Sequence, residues 1–235
     1  MKNLEDVAII IQARLSSQRC PEKMIRPFAE STLMNITLDK LKKSNIPNRN
    51  IWCAVHEEEL VNLCKEYPFN IFKRSKNSAD SEGTPMTVFF EWWDQIPFKY
   101  VVLINACCPF LTINTIENFF NDYLNADSDG MFAVLKKKNY YWDYDGNFLT
   151  PFEKGVMNTK SANPILEAAH CLYAASLEKI GKGIWMGDFN TKGDIALWPM
   201  PENEAMDIDY EWQFKMYEAI YSSDHQITQN NGEKK

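Results

Sequence analysis

"IIIQARLSSQRCPEKM", Ile9 to Met24, is an aliphatic run that breaks into Arg14, Ser16, Ser17, Arg19 and Lys23, with Pro21 stiffening the chain before the lysine. An aliphatic run bounded by turn residues predicts a buried strand, and a basic loop at its carboxyl edge is where α/β sheets hold ligands. Arginine forks, a lysine point charge, serine hydroxyls and free backbone N–H groups grip phosphates. The ligand expected here is an anion. No G-x-x-x-x-G-K-[ST] pattern is present, so this is not a Walker loop. Lying in a polar loop, Lys23 is expected to act on phosphates and not on folding.

Outward from this stretch, short aliphatic segments alternate with longer mixed ones. Val7–Gln12, Ile51–Val55, Asn70–Phe72 and Tyr100–Asn105 read as strands, and "DGMFAVLK" as another. Between them "TLMNITLDKLKKS", "EEELVNLCKEY", "PMTVFFEWWDQ" and "PFLTINTIENFFNDYLN" carry apolar residues at helical spacing. That alternation predicts a mainly parallel sheet wrapped by helices. From about Asn139 to Pro164 the texture turns aromatic, with Asp145-Gly146 as a hairpin signal, and this reads as an inserted arm or lid. Strands around Ala168–Ala174 and Ile195–Trp198 follow, then a final helix written by "YEWQFKMYEAIYSS". One domain over residues 1–222 is expected, with a disordered tail over 223–235.

The chain's 235 residues, 45% of them hydrophobic, suffice for one sizeable core. A formal net charge of −7 argues against a nucleic-acid binder, so the basic loop is local chemistry. The six cysteines form no C-x-x-C pair and the three histidines have no ligand spacing, which makes zinc an unpromising ligand. No run approaches the roughly 18 apolar residues of a membrane span, and the start "MKNLEDVAII" lacks a signal peptide's basic region. A reduced cytoplasmic protein that engages no membrane is expected.

A second constellation is "AMDIDYEWQF", where Asp207 and Asp209 flank Ile208 before the last helix. In an extended stretch residues two apart share a side, so both carboxylates can reach one Mg²⁺, a hard cation that takes one or two carboxylates plus phosphate oxygens. The competing reading is a helix cap by Asp209 with Asp207 merely exposed. The phosphate-type loop near the other terminus gives the pair its meaning.

"IIIQARLSSQRCPEK" resembles the I-x-A-R-x-x-S-x-R-x-P-x-K signature of the CMP-sugar synthetases, and "DIDYEWQF" is similar to the D-I-D-x-x-x-D-F that closes their acylneuraminate branch. "LINACCPFL" sits where that branch has L-Q-P-T-S-P-L, and "HCLYAASLEKI" where it has an N-G-x-x-Y strand and following helix. Departures are visible: Ser16 for a glycine, Gln12 as in a surface-polysaccharide branch, Asn105 for a glutamine, Gln213 for the last acid, His170 for a glycine, and Cys107 where octulosonate enzymes carry a metal-binding aspartate, which speaks against the octulosonate branch. The resemblance implies a three-layer α/β/α nucleotidyltransferase whose arm at 139–164 dimerises, hence a homodimer. It implies Mg²⁺-dependent transfer of CMP from CTP to a small acidic sugar, a sialic acid-like nonulosonate first. Lys23 and Arg14 would act on the triphosphate, with Ala13, Ser17 and Arg19 as loop support. Asp207 and Asp209 would hold the metal, with Asp209 catalytic beside Arg14 and Lys23. Arg74 would lie near the base, unless it is an ordinary surface charge, and Asn105 at the sugar. Two alternatives are an enzyme for another acceptor (3-deoxy-octulosonate, a sugar phosphate or a phosphonate) or another NTP, and a non-catalytic nucleotide binder. Retention of Arg14, Lys23, Asp207 and Asp209 together argues against the last.

Overall fold

In the computed structural model the described residues are 1–80, 84–150 and 158–232, with side chains described through Ser223. Seven strands form one sheet in the order β3-β2-β1-β4-β6-β5-β7. These are β1 Val7–Gln12, β2 Ile51–Val55, β3 Asn70–Lys73, β4 Tyr100–Ile104, β5 Gly130–Lys137, β6 Ile165–Ser176 and β7 Ile195–Pro199. The helices are α1 Leu33–Lys43, α2 Glu58–Cys64, α3 Lys76–Ala79, α4 Met86–Phe89, α5 Ile113–Asn125, α6 Leu177–Gly181 and α7 Glu211–Gly232.

β1 shows why the opening run is a strand. Val7, Ile9 and Ile11 pack into one core cluster while Ala8 and Ile10 pack into a second, so both faces are buried and the strand carries no polar alternation. α1 and α5 cover the first cluster through Leu33, Met34, Leu38 and Leu41 and through Ile116, Phe119, Phe120 and Tyr123. Each helix starts on a threonine whose side chain accepts a backbone N–H: Thr32 from Asn35 at 3.1 Å, Thr112 from Thr115 at 3.2 Å.

β1 pairs in parallel with β2 on one side and with β4 on the other. The winding of the sheet therefore reverses between β1 and β4, and the crevice beyond their carboxyl ends is the switch point at which open α/β sheets bind ligands. The loops after Gln12 and after Ile104 both open there.

β6 runs antiparallel to both β4 and β5 while the other pairings are parallel, so the sheet is mainly parallel, as expected. Two expectations are adjusted. The helix expected over 85–95 is split into α4 and a 3-10 turn, Glu91–Asp94, at Phe90, whose φ of −106° and ψ of 43° leave the helical region. The last helix continues to Gly232, beyond residue 222 where the sequence pattern ends the domain, and residues 233–235 of the expected tail lie outside the described residues. Of the arm, residues 151–157 also lie outside them. The described part turns at Gly146, φ 85°, with Trp142 bridging Phe148, as the Asp-Gly signal predicts. Trp142, Tyr144, Phe148 and Leu149 are exposed on it. Among the described residues no helix is long and apolar enough to cross a membrane.

Candidate active site

The loop after β1 is held by backbone contacts that leave its cations free to face inward. The N–H of Ala13 donates to the Ala54 carbonyl at 3.1 Å, and that of Leu15 to the Glu57 carboxylate at 2.8 Å. The loop then curls around a cavity of about 470 Å³ onto which Arg14, Ser16, Ser17, Arg19, Lys23 and Asp209 open. Arg14 Nη1 donates to the Ala79 carbonyl at 3.3 Å, fixing its guanidinium at the rim. Five serine and cationic groups of one loop thus converge on a single concave space, the arrangement that binds phosphates.

Lys23 differs from the expectation of a purely functional residue. Its side chain is only 11% exposed, donates to the Ile208 carbonyl, and lies 3.6 Å from Asp209 Oδ1. It ties the first loop to the segment before α7, so it holds structure as well as charge. Burial works against its ammonium, but the surroundings outweigh that, Asp207 and Asp209 among them, and the pKa is raised. Cys107, packed against Lys23, has its thiol pushed up to about 11, by burial first, and stays a neutral thiol at pH 7.

The two aspartates sit across from that loop. Gln213 Oε1 accepts the backbone N–H of Asp209 and of Tyr210, both at 2.8 Å, which is how a residue in the first turn of a helix closes its amino end. Gln213 therefore supplies the cap, and the Asp209 carboxylate faces Arg19 at 2.9 Å and Lys23. Asp207 and Asp209 open together on a cavity of about 450 Å³, and Asp209 also faces the phosphate-type cavity. Among the described residues, Asp207 Oδ1 is a buried oxygen with no hydrogen-bond partner. Burial and the neighbouring Asp209 hold the Asp207 carboxyl above its ordinary value, against the pull of Lys23, the Asn105 amide and His170. An orphaned, desolvated carboxylate oxygen beside a second carboxylate fits a hard cation. No group of three or more acidic, histidine or cysteine ligands gathers among the described residues, so such a cation would need phosphate oxygens and water to complete its shell.

A wider cleft of about 700 Å³ runs from Arg74 past Ala13 and Arg14 to Asn105 and Tyr173. Arg74 is not a surface charge: it is 2% exposed, donates from Nε to Ser78 Oγ at 3.0 Å and to the Ser78 carbonyl, and lies 5.3 Å over the Phe89 ring. Burial lowers its pKa to about 10, which still leaves it cationic at neutral pH. Asn105 Nδ2 donates to the His170 carbonyl at 2.9 Å and its Oδ1 accepts the Cys107 N–H at 3.0 Å, so it orders the loop as well as lining the cleft. His170 adopts a left-handed φ of 54° where the register of β6 slips against β5, which explains why a glycine is expected at that place.

The structure thus gathers Ala13, Arg14, Ser17, Arg19, Lys23 and Asp209 at one cavity, puts Asp207 beside Asp209, and lines the adjoining cleft with Arg74 and Asn105. Sequence reasoning gives no site role to Tyr173, Phe90 and Trp185 in that cleft: Tyr173 stands at the tyrosine of the N-G-x-x-Y pattern and is read there only as part of a strand, and Phe90 and Trp185 lie in distant segments without a local signature. It also gives Gln12 no site role. Gln12 holds the Trp92 indole N–H at 2.7 Å and reaches the Phe89 carbonyl at 3.4 Å, and a polar residue closing an otherwise aliphatic strand was the available clue.

A family model described as Cytidylyltransferase matches residues 8–175. The chain is 27% identical over 136 residues to a 3-deoxy-manno-octulosonate cytidylyltransferase of Rickettsia felis, and 26% identical over 136 residues to that of Rickettsia akari, covering 56% of this chain and 53% of the relative in each case. The chain spans about half the length of the curated relatives it matches. Among solved structures, a CMP:2-keto-3-deoxy-manno-octonic acid synthetase complexed with CTP superposes with a TM-score of 0.66 at 10% identity, covering 93% of this chain and 99% of the other. A 4-diphosphocytidyl-2C-methyl-D-erythritol synthase from Anaerococcus prevotii gives 0.62 at 14% identity, covering 93% and 96%. Those likenesses establish a nucleotidyltransferase-type α/β fold. With the match running from β1 into β6 and both switch-point loops inside it, the chain belongs to the cytidylyltransferase family.

Proposed function

We propose that the protein transfers CMP from CTP to the hydroxyl of a 3-deoxy-2-keto sugar acid, releasing pyrophosphate, with Mg²⁺ held by Asp207 and Asp209. The observation that carries this reading is the orphaned Asp207 oxygen beside Asp209, facing a loop that presents Arg14, Arg19 and Lys23. A bound Mg²⁺ would neutralise phosphate charge and lower the proton affinity of the attacking hydroxyl. Lys23 and Arg14 stabilise the charge that grows on the departing pyrophosphate oxygens, an electrostatic task that needs no covalent nucleophile. Arg19 leaves Asp209 for a phosphate oxygen as the triphosphate enters. Arg74 fixes the nucleoside end of the cleft and Asn105 the acceptor end. The exposed aromatic arm supports a homodimer.

The names of the relatives favour the octulosonate type of acid over the sialic acid type first expected from the closing D-I-D motif. Screening the four NTPs against octulosonate, nonulosonates and sugar phosphates, read by pyrophosphate release, tests the proposal. Release with CTP and a 2-keto-3-deoxy acid is expected; turnover confined to a sugar phosphate or another NTP would overturn it.

A further inference from the structure

Arg14 is held on both sides by the exit of a single neighbouring strand. The N–H of Ala13, just before it, donates to the Ala54 carbonyl at 3.1 Å, and the N–H of Leu15, just after it, donates to Glu57 Oε1 at 2.8 Å. Ala54 belongs to β2 and Glu57 follows that strand, so the partner of β1 also fixes the backbone on which the first arginine of the loop stands. The Ala13 tie uses a backbone carbonyl that any residue at position 54 would supply. The Leu15 tie depends on one side chain.

Glu57 stands where a different task is usual and does not perform it. It is the residue before α2, with φ −69° and ψ 141°, a place where a side chain ordinarily accepts an N–H of the first helical turn. No such bond forms, and the carboxylate instead crosses to a loop 42 residues away in sequence. Its second oxygen, Oε2, is buried and has no hydrogen-bond partner among the described residues, a desolvation cost that a contact made only for stability would avoid.

The same strand exit reaches its other neighbour. The Val55 carbonyl accepts the N–H of Arg74 at 2.8 Å, and His56 Nδ1 lies 2.9 Å from the Arg74 carbonyl oxygen. Three consecutive residues, Val55, His56 and Glu57, therefore set Arg74 after β3 and Arg14 after β1 against one rigid element. Burial lowers the Arg74 pKa, Glu91 and Glu57 work against that and Arg14 adds to it, so Glu57 lies within electrostatic reach of a guanidinium that Arg14 repels.

We propose that Glu57 is a positioning residue for the transfer reaction, its carboxylate holding the Leu15 N–H so that Arg14 meets the triphosphate in the orientation that stabilises the departing pyrophosphate. This rests on the CMP transfer proposed above and deepens it. Glu57 acts through Arg14, and its effect comes from reach rather than charge. Misplacing a positioned group by about 1 Å can lower a rate by ~10²-fold.

The test compares two substitutions that separate reach from charge. Glu57→Gln keeps an oxygen at full length for the Leu15 N–H and removes the charge; Glu57→Asp keeps the charge and withdraws it by one methylene. By kcat/KM for CTP, measured as pyrophosphate release with a 3-deoxy-2-keto acid and Mg²⁺, Glu57→Gln should stay within about fivefold of wild type and Glu57→Asp should fall ~10²-fold. In an Arg14→Ala background Glu57→Asp should cost no more than about threefold further, because both changes act through one guanidinium. Amide exchange of Leu15, followed by NMR in the unliganded protein, should quicken in Glu57→Asp and not in Glu57→Gln. Both substitutions are conservative, and either one, if folded, decides between reach and charge. Losses that add in the double variant, a Glu57→Asp enzyme as active as wild type, or a Glu57→Gln enzyme as weak as Glu57→Asp would overturn the positioning role while wild-type turnover leaves the transfer reading intact. Failure of the wild type to release pyrophosphate from CTP with any such acid would overturn that reading and the role of Glu57 in it.

Discussion

Nη2 of Arg19 lies 2.9 Å from Oδ1 of Asp209, an ion pair that closes the loop leaving the first strand onto the segment entering the last helix. Arg26 and Glu211, 3.0 Å apart, make a second such closure one turn further on. The Arg19 and Asp209 side chains are 55% and 36% exposed, so water and salt weaken the pair and it adds little to stability. On the proposed function its role lies in exchange, with an entering triphosphate competing for the same guanidinium. Arg19→Ala should leave the Tm nearly unchanged and raise the KM for CTP about tenfold, the scale of one charge-assisted hydrogen bond. Thermal melts and kinetics with varied CTP check this; a large fall in Tm with an unaltered KM would contradict it.

Lys23 is expected to behave differently. Removing its charge while keeping its bulk, as in Lys23→Met, should lower kcat by ~10²-fold or more, the scale of one lost transition-state contact. It should also lower the Tm, because the Ile208 carbonyl loses its donor and Asp207 and Asp209 lose a neighbouring cation. Circular dichroism melts beside single-turnover kinetics separate the two effects. Full activity in Lys23→Met would remove Lys23 from the mechanism.

Much of this was legible from residue types. β1 is readable because burial on both faces demands an unbroken aliphatic run, and its basic sequel because phosphate chemistry demands cations. The pairing of Asp207 with Asp209 follows from their spacing. The direction of β6 is not legible, since periodicity marks a strand but not which way it runs. The depth of Lys23 and Arg74 is equally hidden, because a charged residue in a polar stretch looks the same in sequence whether it faces water or a carbonyl. The stacking of Phe90 on Trp185 is invisible for a similar reason: tertiary contacts create it, and each residue alone reads as core.

Asp207 should trade stability for function. Burial and the neighbouring Asp209 disfavour its ionised form, so Asp207→Asn, which keeps the polar atoms but removes the charge, should raise the Tm of metal-free protein. Each kcal/mol so gained is worth about 2–4 °C in a chain of this size. Mg²⁺ with CTP should raise the wild-type Tm further and the variant's hardly at all. Scanning fluorimetry with and without both ligands reads this out; equal ligand shifts in the two proteins would count against the metal assignment.

Lys40 gives a pH signature away from the site. It donates to the Pro109 carbonyl in a largely buried position, and burial lowers its pKa to about 8. The folded state therefore releases this proton more readily than the unfolded chain, and folding stability from this group increases as pH rises from about 8 toward the ordinary lysine value. Wild type should gain about 3 kcal/mol on Lys40→Met between pH 7.5 and 10.5. Urea melts of both proteins across that range check the sign. Parallel curves would mean that Lys40 titrates normally.

On the proposed function, Asp207 and Asp209 serve a metal ion and not the start of a helix. The direct measurement is pyrophosphate release against Mg²⁺ concentration for wild type and Asp209→Asn, with CTP and a 3-deoxy-2-keto acid. Gln213 already caps α7, so asparagine should leave the fold intact. Release by the wild type should need CTP, acid and Mg²⁺ together, and Asp209→Asn should fall ~10²-fold or more and require far higher Mg²⁺. Overlapping curves for the two proteins, or release that ignores Mg²⁺, would contradict the account.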